Sequence, residues 1–416
     1  MNPKLSQLFN LSNFKTGWTA MKWMASLPFN LKAGSEDNLC MSRDHSTWEE
    51  ERDDILERAN WLVKKIVTTP EALISEAPAA IGREFQCEWA IYCCSMLAHA
   101  LANIAHIYPD KAAPVPDLIS KLVEIVNTPE IREYDTRQWH EDAMETLDGP
   151  KRGTKEKTHM TYISILAWVI TNYKMAGGDD RYDAFLHKLC AALVRRMHQS
   201  PYDLNLLSFP GKCIWLPDMF VTIVALKNYT HLYDPSSHAA ARQYAATINT
   251  WLQNARSKWT HKQTGLLGGM LPGQGRMRSI TMRGSCTGLN CSYLSLVDPD
   301  FAREQHELMK RHFTKEASIF GTKVKGLKEF LHKSPDFSLK GGDAGLIIKG
   351  ISAGGTAFAL GSATLLEDWD FRYELLRTAE IGGGTAKEKG MRHYRLGEFA
   401  LVGEATALAM RTNIKR

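Results

Sequence analysis

His159 and Tyr162 stand three residues apart in Lys157-Thr-His-Met-Thr-Tyr162, a spacing that puts both in the first turn of one helix. An imidazole and a phenol there could move protons, although a lone histidine is more often a satisfied structural residue. Cys213-Ile-Trp-Leu-Pro-Asp218 leads into a second apolar run, with Asp218 just after Pro217. Proline followed by an acid is also an ordinary helix start, but a carboxyl and the Cys213 thiol are suitable partners for His159. The segment Gln138-Trp-His-Glu-Asp-Ala-Met-Glu145 adds Trp139, Glu141 and Asp142 as candidate ligand contacts, and Trp215 joins them. Cys286 and Asn290, four residues apart, share one side of a further helix; buried small residues would look the same. Glu84 and Glu88 open the earliest apolar run, where the helix dipole favours carboxylates whatever their use.

Gly341-Gly-Asp343 and Gly350-Ile-Ser-Ala-Gly-Gly355 precede no strand pattern and match neither a phosphate loop nor a dinucleotide fingerprint. No organic cofactor is therefore expected. HExxH, paired CxxC and calcium-loop spacings are missing, so no metal is expected either. Asp343 remains a binding candidate, and the Gly354/Gly355 pair reads as close helix packing.

These side chains need helices to position them. Ser46 and Glu49 form a capping box, and Ile55, Ala59, Leu62 and Ile66 then recur at helical spacing. Phe85 to Ile107 is apolar on nearly every side, as in a helix buried on most of its circumference. The alternation repeats: amphipathic helices are predicted near 117–127, 180–198, 237–259, 299–313 and 369–380, and more apolar ones begin near Thr158, Leu216, Ser285, Ser352 and Leu396. Six outer-inner pairs spaced by roughly 45 to 75 residues are enough to close a ring. The expected fold is all-α, an (α/α)6 toroid of six helical hairpins over 46–416, preceded by an N-terminal arm over 1–45. Links from inner to outer helix are brief, whereas 128–157, 199–215, 260–284 and 314–351 are long. The long links would gather on one face above the inner-helix N-termini, where a ligand is expected.

Hydrophobic residues make up 44% and charged residues 23% of the 416, values that support a large core and argue against disorder. The formal charge of +5 is mild and scattered, which excludes nucleic acid as a first partner. Eight cysteines without a CxxC pair fit a reducing compartment, and Lys4, Lys15 and Lys22 interrupt any leader-like apolar run. No later run reads as a membrane span, so a cytoplasmic protein is expected. The aromatic stretch Phe14 to Phe29 suits packing on its own domain or on a neighbouring subunit, with a membrane surface as the alternative.

From about residue 85 onward the order of segments resembles the linalool dehydratase/isomerase family. Trp139-His-Glu-Asp142 leading to Lys157-Thr-His159, then Gly178-Asp-Asp-Arg-Tyr182, Asp298-Pro-Asp-Phe-Ala302 with Phe313, and His393-Tyr394 carry the resemblance. It implies a toroidal enzyme acting on monoterpene alcohols and alkenes without an organic cofactor. It also implies that His159 matches the catalytic histidine, that Cys213 matches one of two family cysteines, and that Tyr394 lies near the ligand. Pro217 or Asp218 takes the second cysteine's place, and the family's Asp and Tyr, donated across a subunit boundary, find no match before Glu84. A homo-oligomer would follow from that family arrangement.

The leading expectation is a cofactor-free acid/base lyase or isomerase on a terpenoid-like hydrophobic small molecule. A glycoside hydrolase-like enzyme with paired carboxylates is the alternative, kept open by Trp139, Trp215, Glu141 and Asp142. A binding or scaffold protein that uses the same cavity without catalysis is the third.

Overall fold

A computed structural model describes residues 48–77, 87–275, 277–319, 321–332, 335, 337–338, 345–398 and 400–416. The described residues form mostly α-helix with a few short strands. The arm over 1–45, the capping box at Ser46, Glu84 and Asp343 lie outside them.

The predicted alternation is present. Outer helices are α1 (Arg52–Ile66), α4 (Val115–Val126), α7 (Asp183–Gln199), α9 (Ala239–Lys258), α11 (Pro299–Phe313) and α13 (Trp369–Gly383). Inner helices are α3 (Glu88–Ile107), α6 (Met160–Met175), α8 (Leu216–Leu232), α10 (Gly284–Val297), α12 (Ala353–Leu365) and α14 (Leu401–Arg411). Each inner helix packs on the next in the order α3, α6, α8, α10, α12, α14, and α14 packs back on α3. Each outer helix from α4 to α13 lies against the inner helix that precedes it in the chain. Their chemistry explains this division: the inner helices are apolar on nearly all sides and bury Trp168, Tyr162, Phe220 and Tyr293, each such side chain contributing about 1.5–3 kcal/mol. Gly361 permits close approach of three inner helices, since a Cβ there would stand 2.4 Å from Met410 Sδ and 2.7 Å from Ser292 Oγ.

Helix α3 is also long and apolar enough to cross a bilayer, contrary to the expectation that no run is, but most of it is buried within the protein.

The long connections are tied to one another. Thr158 Oγ1 donates to Leu207 O at 2.5 Å, the Leu216 amide donates to Gly269 O at 3.1 Å, and the Gly284 amide donates to Glu329 O at 2.8 Å. They are not bare loops. The 128–157 stretch holds α5 (Pro129–Trp139), because Ile131, Tyr134 and Asp135 recur at helical spacing and bury one face. A further helix, α2 (Pro70–Glu76), follows α1. Strands β1 (Ile214–Trp215) and β2 (Met270–Leu271) pair antiparallel, as do β3 (Thr314–Ile319) with β4 (Thr322–Leu327). The small ribbons satisfy backbone groups of chain that runs over helix ends, and the described residues remain mostly helical as expected.

Ionic contacts join the first outer helix to the last hairpin. Four carboxylates, Glu51, Asp54, Glu380 and Glu404, meet four guanidinium groups, Arg58, Arg372, Arg392 and Arg411. Arg372 and Arg411 each reach Glu51 at 2.6 Å, and Arg58 reaches Glu404 at 3.1 Å. Glu57 pairs with Arg392 as well, and opposite charges beside every member let the cluster stay buried. At the far end of the inner helices, His99 Nε2 meets Asn413 Oδ1 at 2.9 Å, and Arg416 donates to Asn172 Oδ1 at 2.8 Å.

Candidate functional site

Asp218 lies in the first turn of α8 and is half-buried. Two neighbouring inner helices hold its carboxylate: Tyr92 of α3 donates its hydroxyl to Oδ1 at 2.8 Å, and Thr161 of α6 donates to Oδ2 at 3.2 Å. Residues from three repeats thus meet at the inner-helix N-termini. Burial pushes the Tyr92 phenol well up, and the charges of Asp218 and Glu88 push the same way. Glu88 is in the first turn of α3, one turn before Tyr92. The Tyr134 phenol of α5 is raised by burial and then by Asp135, Glu88 and Asp218; that of Tyr293 in α10 is raised by burial and by Asp218. These tyrosines therefore stay protonated at neutral pH, and Tyr92 donates to Asp218.

His159 is fully buried and caps α6 in a left-handed conformation, φ 46°, which a histidine adopts only when its surroundings hold it there. Its Nδ1 is 2.6 Å from Asp135 Oδ2, and its Nε2 is 3.3 Å from Glu141 Oε1. Lys157 Nζ lies 3.7 Å from the other oxygen of Glu141, and the Trp139 ring packs against the imidazole with centroids 5.6 Å apart. Burial raises the Asp135 carboxyl even beside the imidazole. His159 and Asp218 do not hydrogen-bond to each other; they are linked through the α6 turn that carries Thr161. His159, Trp139 and Glu141 form one unit that fixes this turn.

Cys213 is half-buried, its thiol raised by burial and further by the charge of Asp218. Trp215 lies beside them in β1, with the Arg283 guanidinium 6.0 Å from its ring centroid. Asn290 donates to Gly268 O at 2.9 Å, and Cys286 is pressed against Gly269, so both anchor the 260–284 connection to α10.

Three candidates need correction. Tyr162 turns away from Asp218: its hydroxyl donates to Val126 O at 3.0 Å, in contact with outer helix α4, because it is rotated by about 100° from Thr161 on the same helix. Asp142 caps a short turn at Met144 and accepts from Arg132 at 2.9 Å, a local structural role. Tyr394, in the strand Met391–Tyr394, lies over the Arg58 guanidinium, 4.0 Å from its ring centroid, within the ionic seam. Glu404 belongs to that seam as well: burial pushes it up to about 7 although Arg58 opposes this.

Sequence reasoning missed Tyr92, Thr161, Tyr134, Asp135, Tyr293 and Glu329. Tyr92 alone carried a signal, its one-turn spacing from Glu88. Glu329 accepts from the Ser285 amide at 3.1 Å and from Arg283 at 2.6 Å, capping α10 from a distant connection. Among the described residues, one group could hold a metal ion by geometry, His306, Glu307 and Asp368. The Lys310 ammonium already sits 2.6 Å from Asp368 and 3.3 Å from Glu307, supplying the cation itself.

No protein-family model matches the chain, and no curated protein matches it.

Proposed function

We propose that the chain is an (α/α)6 toroid of the linalool dehydratase/isomerase kind, acting as a cofactor-free acid/base lyase or isomerase on a terpenoid-like hydrophobic small molecule. The cyclic packing of six inner helices supports the toroid. The observation that carries the chemistry is the Asp218 carboxylate, gripped by the hydroxyls of Tyr92 and Thr161 from two other inner helices. Hydroxyl donors from two directions aim such a carboxylate, which suits a base.

In this reading Glu88 is the acid and Asp218 the base. The acid gives a proton to the substrate hydroxyl, the C–O bond breaks, and water leaves with the bonding pair. Asp218 takes a proton from the adjacent carbon, and that C–H pair becomes the new double bond. Aromatic faces beside the site stabilise positive charge developing on carbon. His159, held between Asp135 and Glu141, is a positioning residue for the turn that presents Thr161.

Incubation of the full chain with a panel of monoterpenoid alcohols, followed by gas chromatography, tests the assignment. Dehydrated or isomerised product is expected, and Asp218→Asn should lower the rate by ~10²–10⁴-fold. Absence of product from every alcohol, or an Asp218→Asn variant as active as the parent, would overturn it. Two carboxylates whose charges both act on Tyr92, Glu88 and Asp218, favour one second reading, a glycoside hydrolase-like enzyme. Release of reducing sugar from a glycoside panel, with the terpenoid panel silent, would establish it.

A further inference from the structure

A groove of about 330 Å³ lies between the 199–215 and 260–284 connections at the end of α9, and its lining includes none of the groups that hold Asp218. Small-molecule sites run from about 300 to 1,000 Å³, so this one suits a ligand of modest size. The cross-strand partners Ile214 and Leu271 line it and are themselves buried. Tyr202 and Trp259 add aromatic rings, and Pro201 and Pro272 add two more rigid ones. One wall is also fixed by its backbone: Asp203 and Leu204 are both left-handed, φ 54° and 71°, which these residues adopt only when their surroundings hold them there. Buried Asn205 does so, accepting from Trp251 Nε1 at 3.0 Å and donating to Tyr202 O at 3.2 Å. The groove is therefore preformed.

Asp203 and Lys258 are the charged residues of the lining, and they neutralise each other, with Nζ 2.9 Å from Oδ1. An ionic ligand thus has no uncompensated charge to meet. Both side chains are about half-exposed at the rim, and among the described residues Asp203 Oδ2 has no hydrogen-bond partner. The pair offers an acceptor and ammonium protons side by side, which matches a hydroxyl, a group that both donates and accepts.

We infer that this groove binds a small neutral ring molecule, with its apolar face against Ile214, Leu271 and the aromatic rings and a hydroxyl on the Asp203–Lys258 pair. A rigid ring entering rigid walls loses little conformational freedom, which favours it over a flexible chain. Two sources share this chemistry, a cyclic terpenoid alcohol and the pyranose ring of a sugar. The groove is a binding site in its own right and does not depend on the reaction proposed at Asp218.

Fluorine NMR of the full chain labelled with 5-fluorotryptophan reads the groove directly, with the Trp259 signal assigned by Trp259→Phe. Menthol and methyl glucopyranoside are titrated, each beside a ring that lacks its hydroxyls, limonene and tetrahydropyran. A saturable shift of the Trp259 signal with menthol identifies the terpenoid source, and one with the glucoside identifies the sugar; either upholds the inference. The hydroxylated ring is expected to bind at least ~10-fold tighter than its bare counterpart, the ratio equivalent to one lost hydrogen bond. Asp203→Gly, which tolerates the left-handed backbone, and Lys258→Met, which keeps most of the stem, should each weaken that binding by ~10-fold and leave the bare ring unaffected. No shift with either hydroxylated ring, a bare ring that binds as tightly, or either variant binding like the parent would overturn the inference. Turnover of a terpenoid alcohol bears on Asp218 alone and changes none of these outcomes.

Discussion

Asp135 Oδ2 lies 2.6 Å from His159 Nδ1, and both side chains are inaccessible to solvent. The pair joins α5 to the first residue before α6, and Glu141 takes the other ring nitrogen. A histidine with both nitrogens engaged this way sets the position of its neighbours, here Met160 and Thr161. That places it one step behind Asp218, which meets Thr161 directly.

Removing one partner of this pair should therefore cost stability first. Asp135→Ala leaves a buried imidazole facing Glu141 alone and is expected to lower unfolding free energy by about 3–5 kcal/mol. Urea denaturation followed by circular dichroism measures it, and a loss under 1 kcal/mol would contradict the buried bridge.

The ionic seam makes a second prediction. Arg58→Met strands Glu404 and should destabilise by about 3–5 kcal/mol, whereas adding Glu404→Leu should recover part of that loss. A double-mutant cycle in urea reads the coupling; additive losses would show that the two side chains act independently.

Stability against pH follows from two buried groups of opposite sign. Burial, then Arg416, depresses His99 from 6.5 to about 3, so its contribution is present above 6.5 and is lost as pH falls toward 3. Glu404 is raised from 4.5 to about 7, so its contribution is present below 4.5 and is lost as pH rises through 7. Between pH 4.5 and 6.5 the two slopes, each about 1.4 kcal/mol per pH unit, oppose one another. His99→Gln should therefore make stability fall as pH rises across that range, and Glu404→Gln should make it fall as pH drops. Thermal unfolding at stepped pH distinguishes them; identical profiles in both variants would refute the assignment.

Close packing of the inner helices sets the last prediction. Gly361→Ala forces a methyl to within 2.4 Å of Met410 Sδ. An overpacking cost of about 1–3 kcal/mol is expected, and Met410→Ala should relieve it. Guanidinium titrations of the single and double variants decide this.

Much of the architecture was legible in the sequence, because apolar periodicity is a local property. The outer helix predicted at 299–313 matches α11 at both ends, and the inner helix predicted from Leu216 begins there. Link lengths likewise marked the inner-helix N-termini as the place for a site, and Asp218, Cys213 and Trp215 stand there. The missing helix α5 was hidden by its polar composition, since eight of its eleven residues are charged or are Thr, Gln or Pro.

Sequence by itself determined which segments are helical and which are buried all round, since each chain segment carries its own solvation pattern. Only the tertiary structure decided which side of a uniformly apolar helix faces the carboxylates. In α6 nearly every residue is buried, so periodicity could not distinguish Thr161, which meets Asp218, from Tyr162, which meets Val126. The partners themselves lie far apart in the chain, Tyr92 and Asp218 by 126 residues and Arg58 and Glu404 by 346. No local signal encodes such pairings, because the hydrogen bonds and charges that select them exist only once the helices have packed.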